Sequence, residues 1–335
     1  MLALATRLFR TVVVCLTFRP ALAYMVLSAN RSGFLRDALL LLACTSCGVP
    51  VVGHLRGGNF GHFHARAPRW LRVVIATVVP RFHRIILLAE RFRPHVEGLI
   101  APSRVAVLYN GVEATAFDAC ATRTDRADGL VTVLYLGHLS VAKGFGDALE
   151  LIPRVLAHVP HVRFEFAGEW LLRERNVLVD EQGRPLPDGG DLEARFAKLA
   201  ARYPDNIRLL GVIEGTDKLE ALRRADIFLF PSYSEGFPMA VLEAMAAGLP
   251  LVATPVGALG EVLTDGIHGY LVEPGDVEGF ARALTALAGA PQVRERMGNT
   301  NRDQVRNRFS VDAVVSALAR QLRAWAEETA FGARA

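Results

Sequence analysis

The chain has only three lysines against 35 arginines, only four cysteines, and no run of 18 uncharged apolar residues among its 335 positions. Each scarcity excludes something. Without a long apolar run no helix is expected to span a bilayer. Four cysteines (Cys15, Cys44, Cys47 and Cys120) in so long a chain do not build a disulfide framework, so a reducing, cytoplasmic compartment is expected. There is no Walker loop and no GxGxxG after a strand. Aromatic residues are not interleaved with basic ones as in single-strand nucleic-acid binders, so no nucleic-acid partner is expected. What is present is 51% hydrophobic residues and 29 glycines, which excludes disorder and collagen-like repeats and leaves room for two domains.

Charge is unevenly spread. Residues 1–127 hold 16 Arg, no Lys and 6 acids, or +10; residues 128–335 hold 22 basic residues and 28 acids, or −6. Such asymmetry suggests two domains with different partners, the basic one suited to an anionic surface. Part of it is simply this chain's preference for Arg. Residues 7–23 also imitate a signal peptide, with Arg7 and Arg10 before an apolar stretch and Ala-Leu-Ala after it. Arg19-Pro20 interrupts that pattern, and a helix turning into a buried strand accounts for the same residues.

Periodicity then predicts helix over 31–48, strand over 49–55, helix near 68–80, and strands at 84–89 and 105–109. Residues 118–129 are polar and read as a linker. The pattern restarts with strand 131–136 and helix 145–158. Strands at 163–167, 207–210, 227–230, 251–253 and 270–272 alternate with helices at 191–202, 216–224, 238–247 and 258–264. Helices at 276–289, 291–308 and 311–329 close the chain. Alternation of this kind means α/β architecture with two parallel sheets, whose ligands bind at the carboxyl ends of the strands and here, by expectation, between the domains.

The informative stretch runs from Phe230 to Pro250, FPSYSEGFPMAVLEAMAAGLP. A strand ends, a polar loop follows, and Pro238 opens a helix where its fixed φ is tolerated. The junction presents backbone N–H groups near Phe237 and Met239 to an anion or a sugar hydroxyl. Glu235 and Glu243 stand eight residues apart, and a carboxylate accepts two hydrogen bonds at once, as a vicinal diol requires. Two glutamates at this spacing also occur on ordinary solvated surfaces.

With VGALGEVLTDGIHGYLVEPGD (256–276), YLGHLSVAKGF (135–145), LLGVIEGTDKLEALRRADIFLFPS (209–232) and VLYNGV (107–112), this stretch resembles the retaining, nucleotide-sugar-dependent glycosyltransferases of family 4. The resemblance covers roughly residues 84–325 and implies a GT-B fold of two Rossmann-like parallel-sheet domains. The implied division is an acceptor-side domain over 1–127, a donor domain over 128–310, and a terminal helix over 311–335 that crosses back to the first domain. It also implies a UDP- or GDP-linked sugar as donor substrate, with no cofactor and no metal. The acceptor would be a polysaccharide, lipopolysaccharide or lipid-linked intermediate of the cell envelope, reached by peripheral contact with the anionic inner face of a membrane. Lys143, in the loop from Gly137, would hold the diphosphate; His138 stands where the family usually has Arg. Glu235 and the backbone of Gly236, Phe237, Pro238 and Met239 would hold the transferring sugar, Glu243 the ribose hydroxyls, and Val212 or Ile213 would line the base pocket.

The front of the chain departs from the family. VVGHLRGGNF (51–60) resembles a strand and turn where relatives place a functional His; here that position is Arg56, with His54 two residues earlier on the same side of the strand. Either His54 takes over, or Arg56 contacts sugar or phosphate, or both are ordinary strand-end residues. Relatives begin with a Gly-rich loop and one or two more β-α units, roughly 30–60 residues. The first domain is therefore expected to be incomplete, through translation starting upstream or through a shortened, non-catalytic copy that binds nucleotide sugar or a partner. A third reading makes Glu235 and Glu243 the acid/base pair of a glycoside hydrolase. Cys44 and Cys47 have zinc-like spacing but lie in an apolar helix with no second pair, and His54, His62 and His64 are explained without a metal.

Overall fold

The computed structural model describes residues 2–120, 129–171 and 179–332. It divides into two compact units, Met1–Asn110 with Val314–Ala335, and Gly111–Ala313. Among the described residues no helix is long and apolar enough to cross a membrane.

The first unit contains α1 (Leu2–Phe18), β1 (Ala23–Val26), α2 (Arg31–Ser46), β2 (Val51–Leu55), α3 (Phe60–Ala65), α4 (Arg69–Val78), β3 (Arg84–Leu87) and β4 (Val105–Val107). Its four strands are all parallel, in the order β1-β2-β3-β4. Asn30 starts α2 by accepting the Gly33 N–H at 2.8 Å, the side-chain cap that replaces a missing intrahelical partner. β2 is buried throughout because it is central and covered on both faces. β1, expected to be buried, is instead an edge strand: Tyr24 is 42% and Val26 48% exposed. Sheet order decides this, and a local apolar run cannot report it.

The second unit holds β5 (Val131–Leu136), α5 (Phe145–His158), β6 (Val162–Ala167), α6 (Leu192–Arg202), β7 (Ile207–Gly211), α7 (Gly215–Arg224) and β8 (Ile227–Phe230). These are followed by α8 (Met239–Ala246), β9 (Leu251–Ala253), α9 (Leu259–Val262), β10 (Gly269–Leu271), α10 (Val277–Ala288) and α11 (Pro291–Gln304). The strands are parallel in the order β10-β9-β8-β5-β6-β7. The core is built on Phe145, Phe164 and Phe166, with Phe280 and Leu284 of α10 beside them. The chain runs outward from β5 to β7 and then jumps back to β8 on the other side of β5. The carboxyl ends of β5 and β8 therefore flank a topological switch point, where loops diverge and leave a crevice.

Two expectations need correction here. The helix over 291–308 ends as α-helix at Gln304 and continues as a π-turn, Val305–Phe309. The start of the polar segment 118–129 belongs to a 3-10 helix, Ala114–Cys120, and most of the remainder lies outside the described residues. α12 (Val311–Gly332) contributes Trp325, Leu318 and Leu322 to a cluster with Val52, Ile86 and Leu108 of the first sheet.

Candidate functional site

A cavity of about 570 Å³ opens at the switch point of the second unit. Gly137, His138 and Lys143 line it from the loop after β5, Val212 and Ile213 from the loop after β7, and Glu235, Pro238 and Met239 from the loop and helix after β8. Residues dispersed over more than 100 positions are thus brought to one place. Gly236, Phe237 and Glu243 belong to the same loop and helix.

Two tyrosines fasten the loops. Tyr135 Oη donates to the His138 carbonyl at 2.7 Å and lies 3.2 Å from that of Lys143, which fixes the curl of the 137–144 loop. Tyr233 N–H donates to the Ala142 carbonyl at 2.9 Å, and Tyr233 Oη donates to Asp147 Oδ2 at 2.8 Å. Burial raises the pKa of both Asp147 and Tyr233, so the Tyr233 phenol stays protonated and keeps donating. Where the two loops touch, Gly144 has φ +67°, and a Cβ there would lie 2.0 Å from the Pro231 carbonyl oxygen. Only glycine permits this approach.

Within this frame Lys143 Nζ donates to Glu235 Oε1 at 2.6 Å. The buried Ser232 hydroxyl donates to the same oxygen at 2.9 Å. Glu235 Oε2 has no such bond among the described residues. Gly236 is held through its carbonyl, which accepts the Ala258 N–H at 2.8 Å. The Phe237 side chain is buried edge-on against Phe309 at 5.3 Å, so it anchors the loop and leaves only its backbone for a ligand. Pro238 sits at the N-cap with extended backbone, and α8 begins at Met239. The amides that head a helix have no intrahelical partner, and Met239 and Ala240 both line the cavity.

One turn further along, Glu243 Oε1 accepts from Lys218 Nζ at 2.6 Å. Lys218, on α7, also lines the cavity and is the site residue that pattern reading missed. Composition held the signal: of the three lysines in the chain, two are in this pocket, each on a glutamate. Each pair is partly exposed, with the lysines at 29%. Such pairs add little to stability.

His54 and Arg56 lie in the first unit. His54 is 5% exposed, and its Nδ1 is 2.5 Å from Tyr24 Oη. Burial, and then the nearby Arg56 charge, lower its pKa to about 4, so the ring is neutral at pH 7. Arg56 is exposed and donates to Asn110 Oδ1 at 3.1 Å. Of the two, Arg56 is the one accessible to a ligand. Cys44 faces Cys15 at 3.9 Å between α1 and α2, its thiol pKa pushed up to about 12 chiefly by burial, as in an inert packed cysteine. Among the described residues no group of three or more His, Cys, Asp or Glu side chains could hold a metal ion.

Residues 122–304, more than half the chain, match the family described as glycosyl transferases group 1. A glycogen synthase of Mycobacterium tuberculosis is 27% identical over 277 residues, which is 81% of this chain and 62% of that protein. A D-inositol 3-phosphate glycosyltransferase of Kribbella flavida is 32% identical over 206 residues, 59% of this chain and 46% of that protein. The chain thus spans less than two thirds of the length of these relatives. Among solved structures, Anabaena HepE in complex with UDP superposes with a TM-score of 0.74 at 17% identity, over 95% of this chain and 82% of that one. Sucrose-phosphate synthase from Thermosynechococcus elongatus gives 0.69 at 17% identity, over 96% and 78%. These likenesses establish the fold as GT-B, and the sequence match, centred on the unit that carries the two Lys–Glu pairs, makes the chain a member of the glycosyl transferases group 1.

Proposed function

We propose that this chain transfers a sugar, with retention of configuration, from a nucleoside diphosphate sugar to a polysaccharide, lipopolysaccharide or lipid-linked acceptor at the inner face of a membrane. The observation that carries the reading is the pair of ammonium–carboxylate contacts, Lys143 with Glu235 and Lys218 with Glu243, around one pocket headed by the amides of α8. HepE, crystallised with UDP and with UDP-glucose, supports a uridine donor in a pocket of this fold.

Breaking the bond between the anomeric carbon and phosphate builds negative charge on the leaving diphosphate and positive charge on the sugar ring. Lys143 and the α8 amides are fixed where they meet the first, and groups oriented before the reaction need no reorganisation as charge develops. Glu235, held on one oxygen by Lys143 and Ser232, offers the other to sugar hydroxyls. Glu243, held by Lys218, offers its second oxygen to the ribose diol. No side chain is assigned as nucleophile; the acceptor attacks from the face the diphosphate leaves. Each carboxylate is engaged by its own lysine, which favours binding roles over the acid/base pair of a hydrolase.

Thermal unfolding of the purified chain against UDP, GDP, ADP and their sugar conjugates tests the reading. A ligand at about 100 times its Kd adds about 2.7 kcal/mol, a rise of several degrees for a unit of this size. A shift produced by one base and lost in Lys143→Ala supports the donor site. Binding without sugar transfer to any acceptor would favour a non-catalytic nucleotide-sugar binder, and no shift with any nucleotide overturns both.

A further inference from the structure

β6 ends at Ala167 and α6 begins at Leu192, so residues 168–191 join two elements that a loop of about 2–6 residues ordinarily connects. The described parts of this excursion, 168–171 and 179–191, meet the loop after β5 at both ends. At one end the Leu139 N–H donates to the Glu169 carbonyl at 2.9 Å, and Trp170 packs edge-on against Phe145 at 5.5 Å. At the other, a Cβ on Gly189 would come within 2.3 Å of the Val141 side chain.

Between these contacts the chain turns tightly around Asp180, which is 3% exposed. Asp180 Oδ1 accepts the Gln182 and Arg184 N–H groups at 3.0 and 2.8 Å, and Oδ2 accepts Arg184 Nε at 2.6 Å. The Asp180 N–H closes the turn on the Arg184 carbonyl at 2.9 Å. An aspartate that bonds its own backbone in this way gives a turn its shape without help from a helix or sheet. The turn also lies near the floor of the site. The Tyr233 phenol, raised in pKa first by burial and then by Asp147, feels the Asp180 charge as well.

Glu181 reaches out of the turn. Its Oε1 accepts the Gly257 N–H at 2.5 Å, across 76 positions of sequence. Gly257 has φ +57°, and a Cβ there would lie 2.3 Å from the Gly236 carbonyl oxygen and 2.7 Å from that of Glu235. The next amide, Ala258 N–H, donates to the Gly236 carbonyl at 2.8 Å. The backbone step that Glu181 holds is therefore pressed against the Glu235–Gly236 peptide.

We infer that the turn 179–185 governs the sugar end of the donor site, with Glu181 the positioning residue that keeps Glu235 and Gly236 in place through Gly257. The inference rests on the donor reading above and deepens it. The described residues that line the cavity do not include Glu181, so it acts through Gly257 rather than on the ligand. A carboxylate accepting an amide is a strong tether, and a glycine with positive φ has the backbone freedom to move once released. Such movement would carry the Ala258 N–H and the Gly236 carbonyl with it. Lys143 is held at Glu235 Oε1, and Lys218 at Glu243, by contacts that do not involve Gly257. Loss of the tether therefore separates sugar binding from nucleotide binding.

Calorimetry with UDP, GDP and ADP, and with their hexose conjugates, tests the inference in wild type, Glu181→Ala, Glu181→Gln and Gln182→Ala. Glu181→Ala is expected to bind the preferred nucleoside diphosphate within about twofold of wild type and its sugar conjugate at least about fivefold more weakly. Glu181→Gln, whose amide oxygen still accepts the Gly257 N–H, is expected to restore conjugate binding. Gln182→Ala, an exposed change in the same turn, is expected to match wild type. Hydrogen–deuterium exchange of the ligand-free chain gives a second readout. Amides around Gly257 and Gly236 are expected to exchange about tenfold faster in Glu181→Ala than in wild type or Glu181→Gln. The inference is overturned by conjugate binding that Glu181→Ala leaves unchanged, by equal loss for nucleotide and conjugate, or by unaltered exchange. A wild type that binds no nucleotide fails the donor reading and the sugar role with it, whereas faster exchange in Glu181→Ala would still establish the tether. Normal nucleotide binding with unaltered exchange fails the tether alone.

Discussion

Lys143 Nζ donates to Glu235 Oε1 at 2.6 Å across 92 positions of sequence, between the loop after β5 and the loop after β8. Neither side chain is fully buried, and a pair of this exposure contributes about 0–1 kcal/mol to folding. Lys143→Ala is therefore expected to leave the melting temperature of the ligand-free protein within a degree or two while abolishing the shift produced by nucleoside diphosphate. If transfer is assayed, kcat/KM is expected to fall about 10²–10³-fold, as for removal of one preorganised donor to developing charge. The Lys143→Ala/Glu235→Gln double variant is expected to lose less than the sum of the singles, because the two groups act as a unit. Additive losses would separate their roles.

Lys218 gives a distinct prediction. It holds Glu243 on one oxygen, whereas Lys143 of the 137–144 loop holds Glu235. Lys218→Met is expected to weaken UDP or GDP binding about tenfold, about 1.4 kcal/mol, by calorimetry, with kcat nearly unchanged. Inorganic diphosphate, which lacks the ribose, is expected to bind the variant and wild type alike. Equal loss for both ligands would place Lys218 on the phosphates.

Gly144 tests the frame that carries both lysines. Its φ of +67° and the 2.0 Å approach of a virtual Cβ to the Pro231 carbonyl make Gly144→Ala strained in two ways. About 2–3 kcal/mol of destabilisation is expected, with a melting temperature lower by roughly 5–10 °C. Gly183→Ala is a matched control: its φ is also positive, at +79°, but no atom lies within 4 Å of the added carbon. The difference between the two variants measures the contact between the loops.

The elements of the second unit could be read almost residue by residue, because amphipathic helices such as Phe145–His158 and short apolar strands such as Ile227–Phe230 declare their period locally. The cluster after β8 was readable because Pro238, Gly248 and Pro250 fix helix ends by backbone restriction. Lys218 was not: in Asp217-Lys218-Leu219-Glu220 it has the appearance of a solvated helix face, and only the fold turns it toward Glu243. The Tyr135 and Tyr233 fastenings join segments distant in sequence and leave no local trace. His54 and Arg56 read as interchangeable candidates because strand alternation gives their side but not their depth. The sheet then buries one and leaves the other exposed.

The burial of His54 has a consequence for stability against pH. Its folded-state pKa is lowered to about 4 from an ordinary 6.5, so the folded chain resists a proton that the unfolded chain takes up. The stabilisation from keeping this ring neutral is complete above pH 6.5 and is lost progressively as pH falls toward 4. A shift of this size corresponds to about 3 kcal/mol over the whole window. His83, His95 and His268 are lowered as well, chiefly by burial, and add slopes of the same sign. The informative quantity is therefore the difference between wild type and His54→Gln, whose amide can still hydrogen-bond the Tyr24 hydroxyl. Urea unfolding at a series of pH values between 7 and 4 is expected to show a shallower fall for the variant. Parallel curves would mean that His54 is protonated in the folded state as readily as in the unfolded one, and that its unpartnered Nε2 reaches water.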